Sequence, residues 1–216
     1  MEERRDRGEP LVTVRVYVEG GGDRNKALDT QCRRGFSEFI RKAGLQGRMP
    51  RVVACGGRRM AFDRFCTAFE NREPEEFVLL LVDSEEVPLA GSPWGHVLQR
   101  AGDGWARPSG ASDDSLHLMV QAMEAWFHAD PDALATYFGK GFRSASLSRR
   151  SNIEEISKAE LNRGLEQATR NTPKGRYSKG EHSFEILARI DPAKVSAASP
   201  SHAGRFLSTL RFACAK

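Results

Sequence analysis

Valine occupies every second position from Val12 to Val18, with Thr13, Arg15 and Tyr17 between. A period of two marks a strand with one face on a core, so residues 11–18 are expected to form the first strand. The spacing then changes. Leu28, Cys32, Phe36, Phe39, Ile40 and Ala43 recur at three and four residues, which predicts a helix over 29–43 ended by Gly44 as a C′ glycine. Arg51 to Cys55 reads as a short β-branched strand, and Gly56-Gly57 turns it into a helix over 58–69. Phe77 to Val82 is apolar without alternation, the mark of a central parallel strand covered on both faces. Strand, helix, strand, helix, strand is the doubly wound α/β order. Right-handed crossovers would bring the three strand ends to one edge.

Residues 86–115 break the pattern with Pro88, Gly91, Pro93, Gly95, Gly102, Gly104, Pro108 and Gly110, and are expected to form an irregular excursion beside the sheet. A fourth strand over 116–120 is expected to run straight into a helix over 121–128. Asp130-Pro131 sets the next helix start, Asp as N-cap and Pro at N1. Ser157-x-x-Glu160 forms a capping box before Leu161, Leu165 and Ala168. A helix near 184–190 and a last one carrying Ala203, Phe206, Leu207 and Leu210 complete the chain. The expected architecture is a single α/β domain over 11–212: a Rossmann-like, mostly parallel sheet flanked by helices, with a helical C-terminal portion packed on it.

With 39% hydrophobic and 29% charged residues in 216, the composition suits one substantial core. No apolar run approaches the roughly 20 residues of a membrane span. Residues 1–10 are charged throughout and are expected to be a disordered arm rather than a secretory signal. Cys32, Cys55, Cys66 and Cys214 show no C-x-x-C spacing, which points to reduced thiols in a cytoplasmic protein. The net charge of +4 hides a division. Residues 1–139 carry 18 Lys and Arg against 22 Asp and Glu, whereas residues 140–216 carry 15 against 7. An acidic front half beside a basic helical portion over 140–212 suits a metal site next to a polyanion-binding surface.

The acids stand where strands end. Glu19 follows the first strand and opens into Gly20-Gly21-Gly22-Asp23; Asp83-Ser84-Glu85 follows the third. If strand geometry continues through 83–85, both acids of the D-x-E face one space. Carboxylates so gathered repel one another unless a cation sits among them, and hard oxygen donors favour Mg2+ or Mn2+. Asp23 could add an oxygen, and Glu19 could instead serve as general acid/base. Glu124 sits among Met123, Trp126 and Phe127, where a carboxylate is costly to bury without a partner. Gly56-Gly57-Arg58-Arg59 opens a helix in a manner suited to anions. It is too short for a P-loop, and no G-K-[ST] occurs, so ATP hydrolysis by this chain is not expected. The remaining histidines lack paired metal spacing, and zinc is not expected. Thr172 to His182 combines Lys174, Arg176, Tyr177 and Lys179 with two glycines, a make-up that can neutralise phosphate and stack on a base. His182 is a candidate phosphate or water contact, or a helix cap.

Val18-Glu19-Gly20-x-x-Asp23 followed by Leu81-Val82-Asp83-Ser84-Glu85 resembles the TOPRIM fold of primases, topoisomerases and overcoming-lysogenization-defect nucleases. Those proteins carry a glutamate after the first strand and D-x-D after a later one, so Glu85 departs from the pattern by one methylene. The chain as a whole resembles domain-of-unknown-function family 4276 through residues 16–23, 54–59, 82–85, 123–127 and 172–182. The resemblance implies a metal and acid/base group of Glu19, Asp83 and Glu85, with Asp23 and Glu124 as additions. It also implies a transition-state lysine at Lys174 or Lys179. It points to a metal-dependent nuclease acting on DNA or RNA, in phage defence beside an ABC/AAA-type ATPase. The alternatives are a non-catalytic adaptor that binds such a partner or nucleic acid, and a transfer enzyme acting on small nucleotides.

Overall fold

The computed structural model describes residues 12–22, 25–45, 49–88 and 91–215. In chain order its elements are β1 (Thr13–Val18), α1 (Lys26–Lys42), β2 (Arg51–Ala54), α2 (Arg58–Glu70), β3 (Glu76–Asp83), α3 (Pro93–Gln99) and β4 (Leu116–Met119). The helices α4 (Glu124–His128), α5 (Pro131–Phe138), α6 (Lys158–Thr169), α7 (Lys179–Leu187), α8 (Pro192–Ala198) and α9 (Arg205–Cys214) follow. The four strands form one all-parallel sheet in the order β2-β1-β3-β4. Parallel neighbours cannot be joined by a hairpin, so each connection crosses over through helix or excursion. The architecture is α/β and consistent with a Rossmann-like fold. The expected arm at 1–10 lies outside the described residues.

The side-chain alternation of β1 and β3 divides the core in two. Val14, Val16 and Val18 share one face with Leu79 and Leu81, packed under α1 and the C-terminal helices. Tyr17, Val78, Leu80 and Val82 share the other with Phe65 and Phe69 of α2 and Trp94 of α3. Apolar cover on both faces explains why β3 shows no polar alternation.

Several boundaries differ from the sequence reading, and those next to the site do so for local reasons. α1 begins three residues early because the Asn25 side chain accepts from Ala27 N and Leu28 N, each at 3.1 Å. Asp29 then serves another purpose: its Oδ1 accepts from Gly22 N at 3.0 Å and braces the glycine turn. The excursion is not wholly irregular. Ser92 caps α3 by accepting from Gly95 N at 3.1 Å, with Pro93 at its first turn. Finally, the stretch expected to continue β4 into a helix at Gln121 does not coil until Glu124. Its backbone is committed to the end of β3 instead. Gln121 O accepts from Glu85 N at 2.8 Å, and Met123 N donates to Asp83 Oδ1 at 2.8 Å.

Candidate metal centre

β1 and β3 are neighbours in register, Val18 beside Leu81, so Glu19 and Asp83 leave the sheet side by side at its C-terminal edge. In open α/β sheets that edge is where ligands bind. One carboxylate oxygen each from Glu19, Asp83 and Glu85 lies within 4.8 Å of the other two. Glu85 does not arrive there by strand alternation. β3 ends at Asp83, and Glu85 adopts φ +68, a left-handed conformation costing a non-glycine residue about 1 kcal/mol or more. The bond from Glu85 N to Gln121 O holds that turn. A carboxylate turned back by strained backbone towards two others is an arrangement that local preference alone would not produce.

The cluster is embedded in cations and fixed donors. Glu19 Oε2 accepts from Asp83 N at 3.1 Å and from Arg58 Nη1 at 3.3 Å. Arg58 Nη1 also donates to the Asp83 carbonyl. Lys158 Nζ pairs with Glu85 Oε2. Lys179 Nζ stands 3.5 Å from Asp83 Oδ2 and 3.7 Å from Glu124 Oε2. Glu124 is buried, and its Oε1 accepts from the Tyr177 hydroxyl at 2.9 Å.

These surroundings set the charge states. Burial pushes the Asp83 carboxyl up to about 7, opposed by Lys179 and reinforced by the Glu19 and Glu124 charges. Burial also raises Glu19, with Arg58 opposing. At Glu85 burial acts upwards too, but the bond and charge of Lys158 outweigh it and the carboxyl titrates below its usual range. Lys179 loses hydration, yet the charges of Asp83, Glu124 and Glu19 hold its ammonium above its ordinary value. The site therefore contains carboxylates that are costly to ionise unless positive charge is brought to them.

Beside the acids lies a cleft of about 410 Å3. Gly20, Gly21, Gly56 and Gly57 form one side, Met123 and Phe184 contribute apolar surface, and Lys179 reaches in. Gly20 and Gly56 exchange both backbone hydrogen bonds, at 2.9 and 2.8 Å, tying the ends of β1 and β2 together. A side chain at Gly21 would place its Cβ 2.4 Å from Asp29 Oδ1.

The other sequence candidates fall in different places. Asp23 lies outside the described residues. Arg58 is drawn into the acid cluster and is only 14% exposed, whereas Arg59 is exposed and pairs with Asp63 one turn on, at 3.0 Å. Lys174 Nζ rests 4.7 Å from the Tyr137 ring centroid, and Arg176 faces solvent 3.9 Å from Glu166. The Tyr177 ring is buried beside Phe127, so its faces are not open to a base. His182 lies inside α7, where its Nδ1 accepts from the backbone N of the N-cap residue Ser178 at 3.0 Å, and α7 starts at Lys179 rather than near Phe184. Lys158 and Asp103 were not among the candidates. Lys158 follows a helix N-cap and Asp103 sits in an Asp-Gly turn signal, so the local pattern of each reads as punctuation.

The family model described as "Domain of unknown function (DUF4276)" matches residues 18–211. The chain belongs to that family. The span shared with DUF4276 opens one residue before Glu19 and runs into α9, so it takes in the acid cluster and its cationic partners. No curated protein and no solved structure matches the chain. Among the described residues of this DUF4276 member, no helix is long and apolar enough to cross a membrane.

Proposed function

We propose that this chain is a divalent-cation-dependent phosphodiesterase of TOPRIM type acting on DNA or RNA. The observation that carries the proposal is the convergence of Glu19, Asp83 and Glu85 within 4.8 Å at the C-terminal edge of a parallel sheet. Their oxygens are hard donors, which suit Mg2+ or Mn2+. The bound ion would supply Lewis-acid stabilisation of charge developing on a phosphodiester. The chain's own groups do the rest. Glu19, raised by burial, is suited to hold or pass a proton. Lys179 at the cleft offers its ammonium to developing negative charge. Lys174, Arg176 and the basic portion after residue 140 contribute positive charge for a polyanionic strand. The resemblance described above is what supports an ATPase partner and a role in phage defence.

One observation favours a second reading, a non-catalytic adaptor. Each acid of the cluster already faces a cation within the chain: Arg58 on Glu19, Lys158 on Glu85 and Lys179 on Asp83. Calorimetric titration with Mn2+ and a cleavage assay on single- and double-stranded oligonucleotides separate the two. The phosphodiesterase should bind Mn2+, and Glu19→Gln or Asp83→Asn should lower cleavage by at least about 100-fold, the scale of removing a general acid/base. A protein that retains its fold yet neither binds the ion nor cleaves is the adaptor.

A further inference from the structure

The excursion between β3 and β4 reaches back to the acid cluster through Asp103. This carboxylate is 2% exposed and holds Arg58 by two parallel bonds, Nε to Oδ1 at 2.9 Å and Nη2 to Oδ2 at 2.6 Å. Arg100 Nη1 lies 3.1 Å from Oδ1 on the other side. The Trp105 ring, 4.8 Å from Arg58 Cζ and stacked on Phe62 at 4.4 Å, covers the guanidinium face. Two of the three guanidinium nitrogens are thereby committed. Nη2 keeps one further N–H, but in the orientation that Asp103 sets it is Nη1 that reaches Glu19 Oε2 and the Asp83 carbonyl.

A guanidinium without such a holder pairs with a carboxylate through two parallel bonds, one to each oxygen. Arg58 released from Asp103 would therefore take both oxygens of Glu19. An arriving cation would then displace two charge-assisted bonds where it now displaces at most one. We infer that Asp103 is a positioning residue of the cation site, which restricts Arg58 to one oxygen of Glu19 and keeps the other available to a divalent ion. The inference rests on the cation-site reading above but requires no cleavage.

The experiment is a double-mutant cycle read as Mn2+ affinity by calorimetry on the full chain. Asp103→Asn alone should weaken Mn2+ binding about tenfold, the scale of losing a group that orients a metal ligand. In an Arg58→Gln background the same change should alter affinity less than about twofold, because the residue it acts through is gone. A loss that is equal in both backgrounds means that Asp103 contributes charge or stability only, and overturns the positioning role. So does an unchanged single variant. If Asp103→Asn does not fold, Asp103→Glu serves: it keeps the charge but shifts the fork, and it should weaken binding only where Arg58 is present. Wild-type protein that binds no Mn2+ sinks the cation-site reading, and this inference with it.

Discussion

Asp83 concentrates the electrostatic tension of this molecule in one side chain. Its folded carboxyl titrates at about 7 against an ordinary 3.8, so between those values the folded state holds a proton that the unfolded state has lost. The contribution of Asp83 to stability therefore falls as pH rises through that window and levels off above it, while His117 and His128, whose imidazoles burial lowers, act in the opposite sense. A displacement of this size corresponds to a few kcal/mol, as an order of magnitude. In chelator-treated protein, wild-type stability relative to Asp83→Asn should decline between about pH 4 and pH 7, measured by urea denaturation. Added Mn2+ should recover stability at pH 8 in the wild type and not in the variant. A wild-type stability that rises relative to the variant over that window would contradict the assigned burial cost. Tyr177 is the second residue whose loss should be measurable. Its hydroxyl bonds a buried carboxylate, and hydrogen bonds to charged groups contribute about 1.5–3 kcal/mol. Tyr177→Phe should lower unfolding free energy by that amount while preserving the packing against Phe127.

The turn after β1 is where backbone conformation and site geometry meet. Gly21 has φ +91 and no room for a Cβ against Asp29, while Asp29 is simultaneously the acceptor for Gly22 N. Gly21→Ala should cost about 1–3 kcal/mol through the strained backbone. It should also displace the Asp29 brace, so that Mn2+ affinity falls along with the melting temperature. Asn25→Ala provides the contrast. It removes the α1 cap and should cost about 1 kcal/mol, yet it leaves the turn glycines in place, so cation binding should survive in calorimetry. The same elements show why boundaries were harder to read than elements. The periodicities of β1 and α1 were visible because each buries one face, and β3 stood out as an unbroken apolar run because it buries both. The starts of α1, α4 and α7 were displaced by single side-chain or backbone bonds, at Asn25, Gln121 and His182, which leave no periodic trace.

Across the whole molecule, charge is divided between an acidic front half and a basic portion after residue 140, and the fold brings α7 of the latter to the acid cluster through Lys179. If nucleic acid is the substrate, the logarithm of the affinity should fall linearly with the logarithm of salt concentration. Lys174→Ala and Arg176→Ala should each reduce the slope by about 1, measured by fluorescence anisotropy on a labelled oligonucleotide. Slopes unchanged in both variants would remove the loop from the binding surface. The doubly wound order, the parallel central strand and the approach of Glu19 to Asp83 were legible in the chain, because alternation and strand-terminal acids are short-range patterns, whereas the left-handed turn that brings Glu85 to them was not. The partners of those acids were not. Arg58, Lys158 and Lys179 meet carboxylates 39, 73 and 96 residues away, and Asp103 meets Arg58 across 45. The local sequence thus determined which groups stand at the ends of the strands. Only the tertiary structure decided which cations balance them and which rotations they keep, because ion pairing depends on distance in space and is indifferent to separation along the chain.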